Sequence, residues 1–228
     1  MRKLLFSMLL IVCCAGIGFA QNDDDSRAEF FIGYSNLQFD TTLSQEDFDG
    51  IDEDFDSSFF DDRVSLNGVN ASVTGYFTRR FGITGDFSYH QRSDNENIEG
   101  TNFEARTRVL NFLAGPQVKF RNASRVEPFV RAMAGVTNTR VRFSSDFDGS
   151  EVGFVPDDFT DSQTNFALGL GGGLDVRVND RVSIRAFQVD YNPVFLRNRD
   201  IDFGSGVSET FEGRRLDNVR FSFGVVFK

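Results

Sequence analysis

The 228-residue chain carries 34 acidic against 24 basic residues, a formal charge of −10, with 28 phenylalanines, four prolines and no tryptophan. This balance excludes nucleic acid as a partner, because a phosphate backbone requires basic neighbours. Both cysteines, Cys13 and Cys14, lie in the first twenty residues. Those twenty residues have the layout of a secretory signal: Arg2 and Lys3, an apolar run over 4–17, then Gly18-Phe19-Ala20 as a small-x-small cleavage site. The run is shorter than the roughly 20 apolar residues of a spanning helix. The expected organisation is a signal over 1–20 and a single domain over 21–228. The mature domain would carry 22 basic against 34 acidic residues and no thiol, which excludes disulfide chemistry. It holds no further unbroken apolar run, so if it spans a membrane it does so as a closed barrel.

After an acidic lead over 22–27, strand one covers 28–37. Ala28, Phe30, Ile32 and Tyr34 share one face; Glu29, Phe31, Gly33 and Ser35 share the other. Residues 38–66 read as a long acidic loop. Strand two covers 67–78, where Val69, Ala71, Val73, Gly75 and Phe77 alternate with Gly68, Asn70, Ser72, Thr74 and Tyr76. Arg79 and Arg80 link it tightly to strand three, 81–90, which predicts a hairpin. There Phe81, Ile83, Phe87 and Tyr89 oppose Gly82, Thr84, Asp86, Ser88 and His90. Residues 91–102 read as a second long polar loop.

Strand four covers 106–121, with Leu110, Phe112, Ala114, Val118 and Phe120 opposite Asn111, Gly115, Gln117 and Lys119. A short turn over 122–125 leads to strand five, 127–143. Val130, Ala132, Ala134 and Val136 oppose Arg131, Gly135 and Thr137, and the other parity of Val141 and Phe143 predicts a bulge. Residues 144–163 read as a third long loop.

Strand six, TNFALGLGGGLDVRV at 164–178, states the pattern most plainly. Phe166, Leu168, Leu170, Leu174 and Val176 fall on one side. Asn165, Ala167, Gly169, Gly171, Gly173, Asp175 and Arg177 fall on the other. A helix would mix the two sets around its circumference. A tight turn, Asn179-Asp180-Arg181, leads to strand seven, 182–196. Its phase breaks between Ile184 and Phe187, which predicts a bulge near Ala186. Residues 197–215 form the last long loop. In strand eight, 216–228, Val219, Phe221, Phe223, Val225 and Phe227 alternate with Arg220, Ser222, Gly224 and Val226.

Connections thus alternate long and short, as in an up-and-down barrel with its extended loops at one rim. The expected fold is all-β: an eight-stranded antiparallel up-and-down transmembrane β-barrel. Its apolar rows face lipid and its ionic groups face a narrow lumen. On these strands, this loop asymmetry and segments such as LNFLAGPQVKF and RFSFGVVFK, the sequence resembles the OmpA/OmpX-type small outer-membrane barrels, also described as porin-like or opacity-like. The family usually ends in an aromatic residue; here Phe227 is penultimate and Lys228 last. The resemblance implies an outer-membrane location with both termini periplasmic. It also implies membrane lipid and the barrel-assembly machinery as partners, and no cofactor.

The expected interior charge network is Glu29, Asp86, Lys119, Arg131, Asp175, Arg177 and Arg220. An eight-stranded barrel is just wide enough for side chains to fill, so these charges would pair with one another. The three inward glycines of strand six would make room for Arg side chains of neighbouring strands. Phe166, Leu168, Leu170, Phe221 and Phe223 are the expected lipid-facing set. Asp52, Asp54 and Asp56 match the first ligand positions of a calcium loop, but Ser57 and Arg63 break the match. His90, with Ser88 on its face, could serve hydrolysis only if an acid completed the arrangement. The expected role is non-enzymatic: envelope integrity, or surface interaction through acidic loops. The alternatives are a narrow porin-like channel and a secreted lipocalin-like barrel with its apolar rows turned inward.

Overall fold

The computed structural model describes residues 28–40, 63–98, 101–122, 124–145, 158–197, 199–202, 208–211 and 213–228. The expected signal and the Asp52, Asp54, Asp56 cluster lie outside the described residues. Ten strands occur among the described residues: β1 (Ala28–Asp40), β2 (Arg63–Tyr76), β3 (Phe81–Ile98), β4 (Thr101–Lys119), β5 (Val126–Ser145), β6 (Asp158–Arg177), β7 (Val182–Phe195), β8 (Arg199–Asp202), β9 (Ser208–Phe211) and β10 (Arg215–Phe227). Eight of them close a barrel in the order β1-β10-β7-β6-β5-β4-β3-β2, every pair antiparallel. Closure is by β1 on β10, with Phe30 opposite Phe227.

The short turns are held by small polar side chains. Thr78 Oγ1 accepts from the Phe81 amide at 2.9 Å. Asn122 Oδ1 accepts from the Ser124 amide at 2.8 Å. Asn179 Oδ1 accepts from the amides of Arg181 and Val182 at 2.9 and 2.8 Å. Such side-chain acceptors replace the ladder bonds that a reversing chain gives up.

At the opposite rim the strands run further than the hydrophobic pattern does. Of residues 91–102, expected as a loop, 91–98 and 101–102 belong to strands β3 and β4, which stay paired up to Ile98 opposite Thr101. β6 likewise begins at Asp158 instead of residue 164, and the connection expected as a loop over 197–215 holds the β8–β9 hairpin. Backbone pairing needs no apolar face, so strands that project past the lumen carry no alternation to read. The same reason corrects the expected bulge in β5. Its register with β6 runs unbroken from Val126–Val176 to Ser144–Asp158. Val141 breaks the pattern because the pattern ends there.

The bulge in β7 is present. Leu174 pairs with Phe187 but Asp175 with Arg185, which leaves Ala186 as the extra residue. Arg185 and Gln188 consequently both point inward, while Ala186 and Phe187 lie outside.

Large apolar side chains stand on the outer wall, Ile83 at 60 % exposure, Phe223 at 56 % and Leu170 at 53 %. They meet in cross-strand pairs such as Tyr34–Phe223, ring centroids 5.3 Å apart, and Phe87–Phe112 at 4.9 Å. Polar and charged side chains fill the inside. This is the reverse of a lipocalin-like barrel.

Candidate functional site

The candidate site is the filled lumen. At the short-turn end lies a group built on Lys119 of β4. Its Nζ stands 2.9 and 2.8 Å from the two Glu29 oxygens, 2.8 Å from Asp175 Oδ2 and 3.4 Å from Glu127 Oε2. Arg185 donates to both Asp175 oxygens, at 2.8 and 3.2 Å. Its guanidinium is sandwiched between the rings of Phe31 and Phe129, 4.3 and 4.1 Å from their centroids. Arg121 pairs with Glu29 at 3.0 Å and lies over the Tyr76 ring. At the rim itself Arg177 and Lys228 both bind Glu127.

One step further along the strands is a closed ring of four charges from four strands. Arg131 (β5) donates to the two oxygens of Asp190 (β7) at 2.9 and 2.8 Å. Arg220 (β10) donates to Asp190 Oδ2 at 3.2 and 3.0 Å. Each guanidinium also reaches Asp86 (β3), at 3.0 Å from Arg131 and 2.8 Å from Arg220. These two contacts are ion pairs without hydrogen-bond alignment; Asp86 Oδ2 accepts from Asn70 at 3.0 Å but Oδ1 has no hydrogen-bond partner among the described residues, so Asp190 is the better-satisfied node. Gln188 donates to Asp190 at 2.8 Å and accepts from Arg185 at 2.6 Å, joining the two groups. All four ring side chains are buried. Two positive and two negative charges cancel, which is what makes such burial tolerable.

Towards the long-loop end the ionic filling gives way to neutral groups. His90 Nε2 bonds Ser35 Oγ at 2.8 Å, and Ser35 bonds Ser222 at 2.9 Å. Ser88 accepts from Arg220 and Asn111 at 2.8 and 3.0 Å, and the serine bonded to His90 is Ser35 instead. Two clusters of buried apolar side chains also pack inside the barrel among the described residues. One holds Leu113, Met133, Ala167, Val194 and Leu216, the other Leu37, Leu66 and Val109; Phe39 packs against both.

Of the seven residues expected in the network, six lie inside the barrel: Glu29, Asp86, Lys119, Arg131, Asp175 and Arg220. Arg177 is corrected to the rim, its side chain 35 % exposed, because β6 ends there. Arg185 and Asp190 escaped the sequence reading. The β7 bulge hides their parity until the pairing partners are known. The inner apolar plug was missed as well, although Leu113, Met133 and Val194 stand at inward positions. Phe166, Leu168, Leu170, Phe221 and Phe223 point outward, with Leu168 half-buried. The glycines of β6 make room, but not for arginines. A Cβ at Gly171 would strike Asp190 Oδ1 and the Val189 carbonyl, one at Gly169 would lie 2.9 Å from Met133 Cε, and one at Gly173 would meet the Phe129 ring at 2.9 Å.

An inside-out closed barrel of eight antiparallel strands with a polar filling defines the class of bacterial outer-membrane barrels. The chain belongs to the family described as the outer membrane protein beta-barrel domain, which matches residues 6–228. Comparison with curated proteins gave no match. Among solved structures the chain is similar to Ail, the attachment invasion locus protein of Yersinia pestis, in complex with the heparin analogue sucrose octasulfate. The identity is 16 %, over 88 % of this chain and 96 % of that one, with a TM-score of 0.48. It is also similar to Neisserial surface protein A (15 %; 89 % and 97 %; TM-score 0.48) and to the outer membrane protein OprG of Pseudomonas aeruginosa (14 %; 90 % and 98 %; TM-score 0.43). None of these likenesses carries a ligand or an activity to this chain.

Proposed function

We propose that this is a non-enzymatic, non-conducting outer-membrane barrel that contributes to envelope integrity and presents acidic loops to partners outside the cell. The observation that carries the reading is the filling of the lumen. Ion pairs from β1, β3–β7 and β10 span it, and two clusters of buried apolar side chains pack inside it as well. A pore needs mobile, hydrated groups along its axis; here the charges are held by one another. His90 is fully buried and bonded to Ser35, a poor position for a base that must meet substrate.

In this reading the outer rows, Phe166, Leu168, Leu170, Phe221 and Phe223 among them, face hydrocarbon. Both ends of the barrel domain sit at the periplasmic rim after cleavage at residue 20. The barrel-assembly machinery inserts the chain. Planar-bilayer recording tests the central point. The refolded protein should give no steady conductance steps; reproducible steps would replace the plug with a narrow channel. N-terminal sequencing of the envelope form should begin at Gln21.

A further inference from the structure

Four arginines stand together on the outer wall of an otherwise acidic protein. Arg106 is directly opposite Arg142, and Arg108 directly opposite Arg140, across the β4–β5 ladder. All four have the parity of the outward-facing Leu110, Phe112 and Val136. Like charges placed directly opposite each other on a sheet are destabilising. Two such pairs in succession call for a counter-charge. Glu104 supplies one, 2.5 Å from Arg106. The flanking positions are neutral: the upper row reads Ser93, Arg106, Arg142, Thr160 and the lower row Gln91, Arg108, Arg140, Ser162. The arginines and Thr160 line a cleft of about 290 Å³. Arg108 Nε is buried and has no hydrogen-bond partner among the described residues.

The height of this platform says what it meets. Immediately below it is the row Tyr89, Leu110, Asn138, Thr164, and below that the wholly apolar row Phe87, Phe112, Val136, Phe166. Tyr34, Tyr89 and Tyr191 point their hydroxyls towards the long-loop end, onto Asn67, Gln91 and Asp217. Tyrosines so placed mark the edge of the hydrocarbon. The two arginine rows begin one residue pair above Tyr89. At about 3.4 Å per residue along tilted strands, that is the headgroup layer.

We propose that Arg106, Arg108, Arg140 and Arg142 form a binding platform for the phosphate groups of an anionic lipid in the leaflet at the long-loop end. Guanidinium forks bind phosphate oxygens bidentately, and Ser93, Gln91, Thr160 and Ser162 offer further donors beside them. The next row outward holds the carboxylate of Glu104 opposite Ser144, so a phosphate is drawn to the arginine level and not beyond it. The proposal rests on the membrane reading above.

The test uses the mature chain folded into phosphatidylcholine vesicles, with and without a bis-phosphorylated glucosamine lipid, and with inositol hexakisphosphate as a soluble competitor. Each arginine is replaced by glutamine in one variant and by lysine in another. Wild type should be enriched around the phosphorylated lipid over its dephosphorylated form. The four-glutamine variant should lose roughly tenfold or more of that preference, and the lysine variant should keep part of it. Gel mobility of unheated samples reports folding of every variant. Equal preference in the wild type and the folded glutamine variant overturns the proposal. Capture of inositol hexakisphosphate with no preference for the lipid overturns the lipid as its source. Failure of the wild type to insert into any vesicle overturns the membrane reading itself.

Discussion

Asp190→Asn perturbs the ring at its best-satisfied node. The variant is isosteric and keeps an acceptor for one donor, but it leaves Arg131 and Arg220 sharing only Asp86. Asp190 receives four guanidinium N–H contacts between 2.8 and 3.2 Å, and none of the side chains involved meets water. Each pair at an effective dielectric near 20 is worth up to about 4 kcal/mol, less the repulsion from Asp86 that the substitution relieves. Breaking one partner of a buried pair destabilises by about 3–5 kcal/mol, and that is the expected loss. The assay is denaturant unfolding in detergent micelles followed by far-UV circular dichroism and by gel mobility, since the chain has no tryptophan to report. Asp86→Asn should be the milder variant, because its contacts with Arg131 and Arg220 lack hydrogen-bond alignment. A loss under about 0.5 kcal/mol for Asp190→Asn, the range of an indifferent surface change, would refute the view that the ring is a mutually dependent unit.

Replacing Asp86, Arg131, Asp190 and Arg220 together by Leu and Met of matched volume should recover most of the Asp190→Asn loss, measured by the same unfolding curves. Leu170→Arg, near the middle of the outer apolar row, should cost about 2–4 kcal/mol in a liposome titration; no change would remove that position from the hydrocarbon. Deleting Ala186 should be tolerated, because Arg185, Phe187 and Gln188 then alternate in, out, in as a regular strand with both polar side chains still inside; loss of the wild-type mobility in the unheated deletion variant would count against Ala186 as the extra residue of the bulge. Gly171→Val should destabilise by about 1–3 kcal/mol in the same titration, because its side chain would meet Asp190 and the Val189 carbonyl.

The sequence alone determined the strands that cross the barrel, their order and their sidedness. Period-2 alternation is enforced wherever one face meets an apolar surrounding and the other a polar filling, so Thr164 to Arg177 can be read residue by residue. Where the strands leave both surroundings, the rule lapses. For that reason the β3–β4 extension looked like a loop and Val141 looked like a bulge. The pairing of the charges was a matter for tertiary structure. Asp86, Arg131, Asp190 and Arg220 come from strands up to 134 residues apart, and their ring exists only because closure of β1 on β10 brings the inner faces within reach. The arginine platform is of the same kind. Arg106 and Arg142 are ordinary loop-end charges along the chain, and they become neighbours only through the β4–β5 register, which backbone hydrogen bonds set.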